Sequence, residues 1–321
     1  MPFVGRGGIL VKTSRRTVAR RRSEDEVLVS NRRRSPRGAK VTVVITSYNP
    51  GPYLKEAIES VMKQSYTNWR MIIVDDASTD KSLQSVREYL SDNRITLLVN
   101  PRNLGQTKSL NIALKKVSTP YLVQLDSDDW FVPDTLKVLV REAEQSAGNV
   151  ALVSGNIKLV WKDANGRDIK SLVRRGRRYR DKYDFMLANQ SCWPRFYRTA
   201  ALRAVGGWPT DGPYEGRYIE DLRILYRLAE RYRFRWINQT LYIHRRHQGN
   251  MTSKVREMKE TLYWLIDETL KRWGGRYKPK YRLLPNGYPQ LASLIPTVKR
   301  TIRKRNVAHG TTRTSFRRRN L

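Results

Sequence analysis

Cysteine is almost missing from the 321 residues: Cys192 stands alone, so no disulfide can close within the chain and no cysteine-cluster zinc site can form. A reducing, cytoplasmic compartment is the expectation. Acidic residues are scarce too, 29 against 63 Lys and Arg, which leaves a net charge of +34. Long apolar runs are lacking. Leu291 to Val298 comes nearest, is broken by Ser293 and Pro296, and falls well short of the roughly 18 apolar residues of a spanning helix. No apolar stretch ahead of a small-residue cleavage site occurs in the first forty residues, so no secretory leader is expected. There is no GxxxxGK[ST] phosphate loop, and Gly5-Arg6-Gly7-Gly8 follows no strand and is no dinucleotide fingerprint. No nucleophile elbow supports Ser-His-Asp hydrolysis. A Gly-rich, arginine-bearing loop after the first strand, which sugar-nucleotide synthesis would show, is absent as well.

What is present is unevenly charged. Residues 1–40 carry +9 and residues 271–321 carry +15, so the body between them holds only +10. Runs such as Arg20-Arg21-Arg22, Arg32-Arg33-Arg34 and Arg317-Arg318-Arg319 repel themselves and suit anionic surfaces. Residues 1–40 are therefore expected to be a basic, disordered extension and 271–321 a second basic extension. The apolar residues Leu283, Leu284, Leu291, Leu294 and Ile295 allow part of the latter to pack on the body.

From Lys40 the pattern alternates between two periods. Val41 to Thr46, Met71 to Val74, Ile95 to Val99, Tyr121 to Leu125 and Ala151 to Ser154 read as buried strands. Between them, helices are expected from Leu54, Ile58, Val61 and Met62, from Leu83, Val86 and Leu90, from Leu110, Ala113, Leu114 and Val117, and over Asp134 to Glu144. Strand alternating with helix predicts an α/β fold, a Rossmann-like, mostly parallel sheet with helices on both faces. Ligands bind such sheets at the carboxyl ends of the strands. Four loops should therefore meet: Thr46–Asn49, Asp75–Ser78, Arg102–Gly105 and Asp126–Asp129. Residues 41–155 form the first expected half and 156–270 the second. In the latter, Tyr218–Tyr232 and Val255–Trp273 read as helices and Phe234–Ile243 as a strand pair or ribbon.

Leu125-Asp126-Ser127-Asp128-Asp129-Trp130 sets three carboxylates directly after a buried strand. Like charges so close need a cation or hydrogen-bond donors. Oxygen ligands of this kind suit Mg2+ or Mn2+ completed by substrate phosphates, while a solvated acidic turn is the plainer alternative.

These segments in this order resemble glycosyltransferase family 2, whose GT-A fold moves a sugar from a nucleotide-sugar donor. The resemblance rests on Val43-Val44-Ile45-Thr46-Ser47-Tyr48-Asn49, Val74-Asp75-Asp76-Ala77-Ser78-Thr79-Asp80, Asn103-Leu104-Gly105 with Ser109-Leu110-Asn111, Asp126-Ser127-Asp128-Asp129 as the DxD motif, and Glu220-Asp221. It implies an inverting, metal-dependent hexosyltransferase acting in cell-envelope or surface glycan synthesis, with a nucleotide-sugar donor, UDP-linked by expectation, and a glycan, lipid-linked or protein acceptor. Thr46, Tyr48, Asn49, Asp75 and Asp76 would hold the nucleotide. Asn103, Gly105 and Lys108 would approach it, and Asp126 would face the ribose or the metal. Asp128 would hold Mg2+ or Mn2+, although a shift of one place would give that role to Asp129. Asp221, with Glu220 beside it, would be the general base, and Trp208 an acceptor platform. The late segment Tyr242 to Ser253 resembles the family's basic loop, which makes His247 a metal or diphosphate contact and Arg245 or Arg246 a phosphate partner. The alternative is a catalytically idle GT-A protein whose basic tails bind nucleic acid or an anionic membrane.

Overall fold

The computed structural model describes residues 28–30, 38–163, 166–247, 255–285 and 287–297. A short edge strand, β1 (Leu28–Ser30), precedes the central strand β2 (Val41–Ser47). All seven residues of β2 are buried, because layers of side chains cover both faces of the sheet. Its alternate residues enter different cores, Val43 and Ile45 on one side and Val44 on the other. Helix α1 (Tyr53–Met62) buries Leu54, Ala57, Ile58 and Val61, the single apolar stripe that a helical period produces. Strand β3 (Trp69–Asp75) follows.

The helix expected around Leu83, Val86 and Leu90 is one α turn, α2 (Ser82–Ser85), and a 3₁₀ turn over Arg87–Ser91. Only Val86 of the three expected apolar anchors is fully buried, too little to hold a longer helix. Strand β4 (Ile95–Val99), helix α3 (Gln106–Lys116), strands β5 (Tyr121–Asp126) and β6 (Trp130–Phe131) and helix α4 (Thr135–Glu144) complete the first half.

The second half departs further from expectation. Strand β7 (Val150–Lys162) is much longer than the apolar run Ala151 to Ser154. It turns back through β8 (Asp168–Arg174), in a stretch whose polar composition hid the hairpin. Helices α5 (Lys182–Leu187) and α6 (Thr199–Ala204) flank strand β9 (Arg195–Arg198). Helix α7 (Glu220–Ala229) leads to β10 (Arg233–Arg246), one strand where a pair was expected, running parallel to β7. Helix α8 (Val255–Arg272) and the hairpin β11 (Tyr277–Leu283) and β12 (Pro289–Pro296) end the described chain.

One sheet runs β1-β4-β3-β2-β5-β9-β7-β10-β6, with β8 added to β7. Parallel pairing holds among β4, β3, β2 and β5, as expected from the alternating pattern. From β9 onward the sheet is mixed, since β9 runs antiparallel to both β5 and β7. The fold is thus α/β, with parallel order confined mainly to its first half.

Residue 270 does not end the folded body. Leu291 on β12 joins Leu262, Leu265 and Ile266 of α8 in the same core as Ile224 and Leu225 of α7. Asn189 clamps Leu291 by two backbone hydrogen bonds of 2.8 Å each. At the other end, β1 pairs antiparallel with β4, inside the segment expected to be disordered. The arginine runs at 20–22, 32–34 and 317–319 lie outside the described residues.

Candidate active site

Strand register gathers the acidic loops. Thr46 on β2 stands opposite Asp126 on β5, and Ser47 opposite Asp75 on β3. Asn49, with a left-handed φ of 48°, ties the first loop to the second, its Oδ1 accepting from Thr79 N at 2.7 Å. Tyr48 is exposed, a free aromatic face at the rim, while Thr46 is buried. Asp75 is buried and accepts from Ser78 N at 3.0 Å; burial raises its carboxyl above the usual range. Asp76 is only 3% exposed, and both its oxygens are taken. Asn100 Nδ2 and Leu104 N donate to Oδ1 at 2.7 and 2.8 Å, and Gly105 N donates to Oδ2 at 2.7 Å. This carboxylate thereby shapes the Asn103–Gly105 loop. Gly105 has φ +88° where a side chain would be strained. Arg217 crosses the loop and donates to Asn103 Oδ1 at 2.9 Å, and Lys108 pairs with Glu215.

The three carboxylates after β5 separate into three environments. Asp129 is fully buried and enclosed by donors: Tyr242 Oη at 2.8 Å, Arg245 N at 2.8 Å and His244 Nδ1 at 3.0 Å. Burial nevertheless pushes its carboxyl up to about 6, and Asp129 in turn raises His244 against that imidazole's own burial. Through these contacts Asp129 anchors β10. Asp128 instead faces His247, whose Nε2 lies 2.9 Å from Oδ2, with both side chains about a quarter exposed.

Asp126 turns away from that pair. Its Oδ2 is 2.6 Å from Arg195 Nη2, and Gln124 and Gln106 donate to Oδ1 at 3.1 and 3.3 Å. Burial would raise this carboxyl, but Arg195 holds it below the usual range. A guanidinium on Oδ2 opposes a second cation at that same oxygen. Arg245 is corrected. It is buried, donates to Asp128 O and to Glu56, and lies over the rings of Tyr53 and Trp130. It packs the site from beneath and is not a phosphate partner; Arg246 beside it is half-buried.

A divalent cation fits the Asp128–His247 pair in part. The pair offers one carboxylate and one imidazole on the same rim, and the described residues contain no group of three ligating side chains. Phosphate oxygens and water would have to complete the shell, the usual situation for Mg2+.

Glu220 and Asp221 open α7, directly after Ile219, a β-branched residue at φ 48° and ψ 36°. Such strain persists only where the surroundings impose it. Asp221 Oδ2 is 3.7 Å from Arg195 Nη1, and its Oδ1 accepts from Leu222 N at 2.8 Å. Glu220 is buried more deeply. Burial, reinforced by Asp221, pushes its carboxyl up to about 8 and so favours its protonated form. Trp208 does not meet the expectation of an acceptor platform. It is 1% exposed, packs edge-on against Tyr197 at 5.7 Å and belongs to the core. Gly-Gly-Trp-Pro is a packed turn pinned by Asn111, which accepts from Trp208 N and donates to Trp208 O.

Arg195 was not singled out by sequence reasoning, although it is the cation that joins Asp126 to Asp221. Its signal was a lone charge in the otherwise apolar run Cys192-Trp193-Pro194-Arg195-Phe196-Tyr197. Tyr242, bonded to both Asp126 and Asp129, gave no signal beyond its place on an apolar strand. A separate cleft at the other end of the strands, lined by Thr42, Arg70, Arg94, Lys116 and Ser118, contains no carboxylate.

Comparison with known proteins places the chain in a family. The chain is 26% identical to glycosyltransferase GlyA of Streptococcus pneumoniae over 251 residues, 73% of this chain and 34% of that protein. It is 33% identical over 120 residues to the Escherichia coli UDP-Glc:alpha-D-GlcNAc-diphosphoundecaprenol beta-1,3-glucosyltransferase WfgD, covering 37% of this chain and 46% of that one. The chain thus spans a third to a half of these relatives' lengths. Among solved structures, the mannosyltransferase PcManGT of Pyrobaculum calidifontis in complex with GDP-Man and Mn2+ shares the fold. Its TM-score is 0.54 at 20% identity over 72% of this chain and 64% of that one. The description of glycosyl transferase family 2 matches residues 42–206, just over half of the chain. The chain belongs to glycosyl transferase family 2.

Proposed function

We propose that this protein is an inverting, metal-dependent glycosyltransferase that passes a sugar from a UDP-linked donor to a hydroxyl of a cell-envelope glycan or lipid-linked acceptor. One observation carries the reading: Arg195 stands between Asp126 at the end of β5 and Asp221 at the start of α7, so the donor-side and acceptor-side carboxylates share one buried cation. Family membership and the similarity to a UDP-glucose-dependent enzyme acting on a diphospholipid acceptor support it.

In this mechanism Tyr48 and the Asn49–Asp75 turn border the nucleotide, and Asp126 orients the ribose. Asp128 and His247 would hold Mg2+ or Mn2+, which would neutralise the diphosphate as it leaves. Asp221 accepts the proton of the acceptor hydroxyl while that oxygen attacks the anomeric carbon from the face opposite the departing UDP. One displacement inverts the configuration. Glu220, protonated, adds no second negative charge beside the base. We further propose that the basic segments beyond the described residues keep the protein peripheral to an anionic membrane, each basic residue near the surface contributing about 1 kcal/mol.

Turnover of UDP-glucose, followed as UDP release with Mn2+, with Mg2+ and with a chelator, tests the reading. Metal-dependent release that Asp221→Asn abolishes supports it. Release that is indifferent to metal and to that substitution refutes it.

A further inference from the structure

A narrow open cleft of about 40 Å³ has Arg174 and Arg175 as its arginine wall and is also lined by Gln190, Ser191, Cys192 and Trp193. Trp193 links it to the reacting groups through Arg195. The Trp193 ring lies 5.6 Å from the Arg195 guanidinium, which is itself 3.7 Å from Asp221.

The arginine wall is held in place by the backbone. Gly176 N donates to Asn156 Oδ1 at 3.1 Å, and a Cβ at Gly176 would stand 2.7 Å from the Trp236 ring. Only glycine lets this segment lie so close to the sheet. Arg177 is consumed by a two-pronged pairing with Asp184 at 2.8 and 2.9 Å. Arg174 and Arg175 are exposed, and neither has a carboxylate within ion-pair distance among the described residues. Of the other lining residues, Ser191 and Trp193 have a buried Oγ and a buried Nε1 that make no hydrogen bond among the described residues. Buried donors without acceptors are costly in a folded chain unless a ligand or water supplies the acceptor.

We propose that this cleft is an acceptor subsite for an anionic group, a phosphate or a carboxylate carried on or next to the sugar whose hydroxyl Asp221 deprotonates. The proposal rests on the reading of Asp221 as the base for its orientation. Two guanidinium forks lining one cleft with an unpartnered indole N–H and hydroxyl form a set dominated by donors, which matches an anion's oxygens and is poorly suited to a neutral sugar alone. The donor's diphosphate is assigned elsewhere, to the Asp128–His247 rim, so the arginine wall is left for the acceptor.

The test measures binding by calorimetry to the full chain saturated with UDP. Three probes are compared: a short-chain alkyl diphosphate of α-GlcNAc, methyl β-glucuronide, and neutral methyl α-GlcNAc. At least one anionic probe is expected to bind about tenfold or more tightly than the neutral one. Arg174→Gln with Arg175→Gln should erase that margin without changing UDP affinity, and Arg174→Lys with Arg175→Lys should restore part of it. A preference for the diphosphate identifies phosphate as the source, and a preference for the glucuronide identifies a carboxylate. Equal binding of charged and neutral probes, or a margin that survives the double glutamine variant, overturns the proposal. Failure of UDP itself to bind, with the arginine-dependent margin intact, would count against the transferase reading and leave the cleft standing.

Discussion

Arg195 Nη2 lies 2.6 Å from Asp126 Oδ2, which makes the first carboxylate of the DxD segment the partner of a protein cation. Arg195 is 2% exposed, so its charge has little water to fall back on. Removing one member of a buried pair costs more than the pair contributes, because the remaining charge stays buried and uncompensated.

Arg195→Met is therefore expected to lower stability by about 3–5 kcal/mol, read as a shift of the urea midpoint. Arg195→Lys, which keeps the charge and loses the fork, should fall between that variant and the native chain. An unchanged midpoint for Arg195→Met would show that Asp126 is neutralised some other way.

Asp128 and Asp129 should behave differently although they are neighbours. Asp128→Asn is expected to leave thermal stability near native and to remove the metal dependence of nucleotide binding. Asp129→Asn replaces one carboxylate oxygen with an NH2 donor, so it cannot accept from Tyr242, His244 and Arg245 N together, and should cost about 1–3 kcal/mol. Thermal denaturation with and without UDP and Mn2+ separates the two, and a reversed pattern would exchange their roles.

For Asp221→Asn, turnover should drop by about 10²–10⁴-fold with UDP affinity nearly native, the usual loss for a positioned general base. A comparable loss of UDP affinity would make Asp221 a nucleotide contact instead.

Glu220 links stability to pH. Its carboxyl rises from 4.5 to about 8 in the folded chain, chiefly through burial. Between those values the folded state binds a proton that the unfolded state has released, so the stability this group contributes is present in acid and is lost as pH climbs toward 8. Glu220→Gln should flatten the stability profile across this window and gain on the native chain near its alkaline end. Parallel profiles for the two proteins between pH 5 and 8 would contradict the shift.

A chain cut after Trp273 loses the hairpin that holds Leu291 and places Tyr281 edge-on to Tyr263 at 4.7 Å. Its stability should fall by at least about 2 kcal/mol, the burial of one leucine. A chain ending at Thr297 should match full-length protein in denaturation while binding anionic vesicles less at low salt. Equal vesicle binding by both would remove the last 24 residues as an anchor.

The sequence by itself determined the parallel half of the sheet and the neighbourhood of the site. Strands buried on both faces leave continuous β-branched runs, and carboxylates stood in plain view at the ends of two of them, Asp75 and Asp126, and at the head of a helix, Asp221. Local pattern could not reach what depends on long-range pairing. The polar face of β8 read as loop because its stability comes from hydrogen bonds to β7 and not from apolar burial. Only the tertiary structure decided which carboxylate is enclosed by the fold and which stands at the rim. Asp128 and Asp129 are adjacent in the chain, yet one faces the rim with His247 and the other is enclosed by β10. Trp208 looked like a sugar platform and became core, and Arg195 looked like one arginine among many and became the bridge between Asp126 and Asp221. Burial and partnership are properties of where distant segments meet, and those meetings set the charge state and exposure of each group.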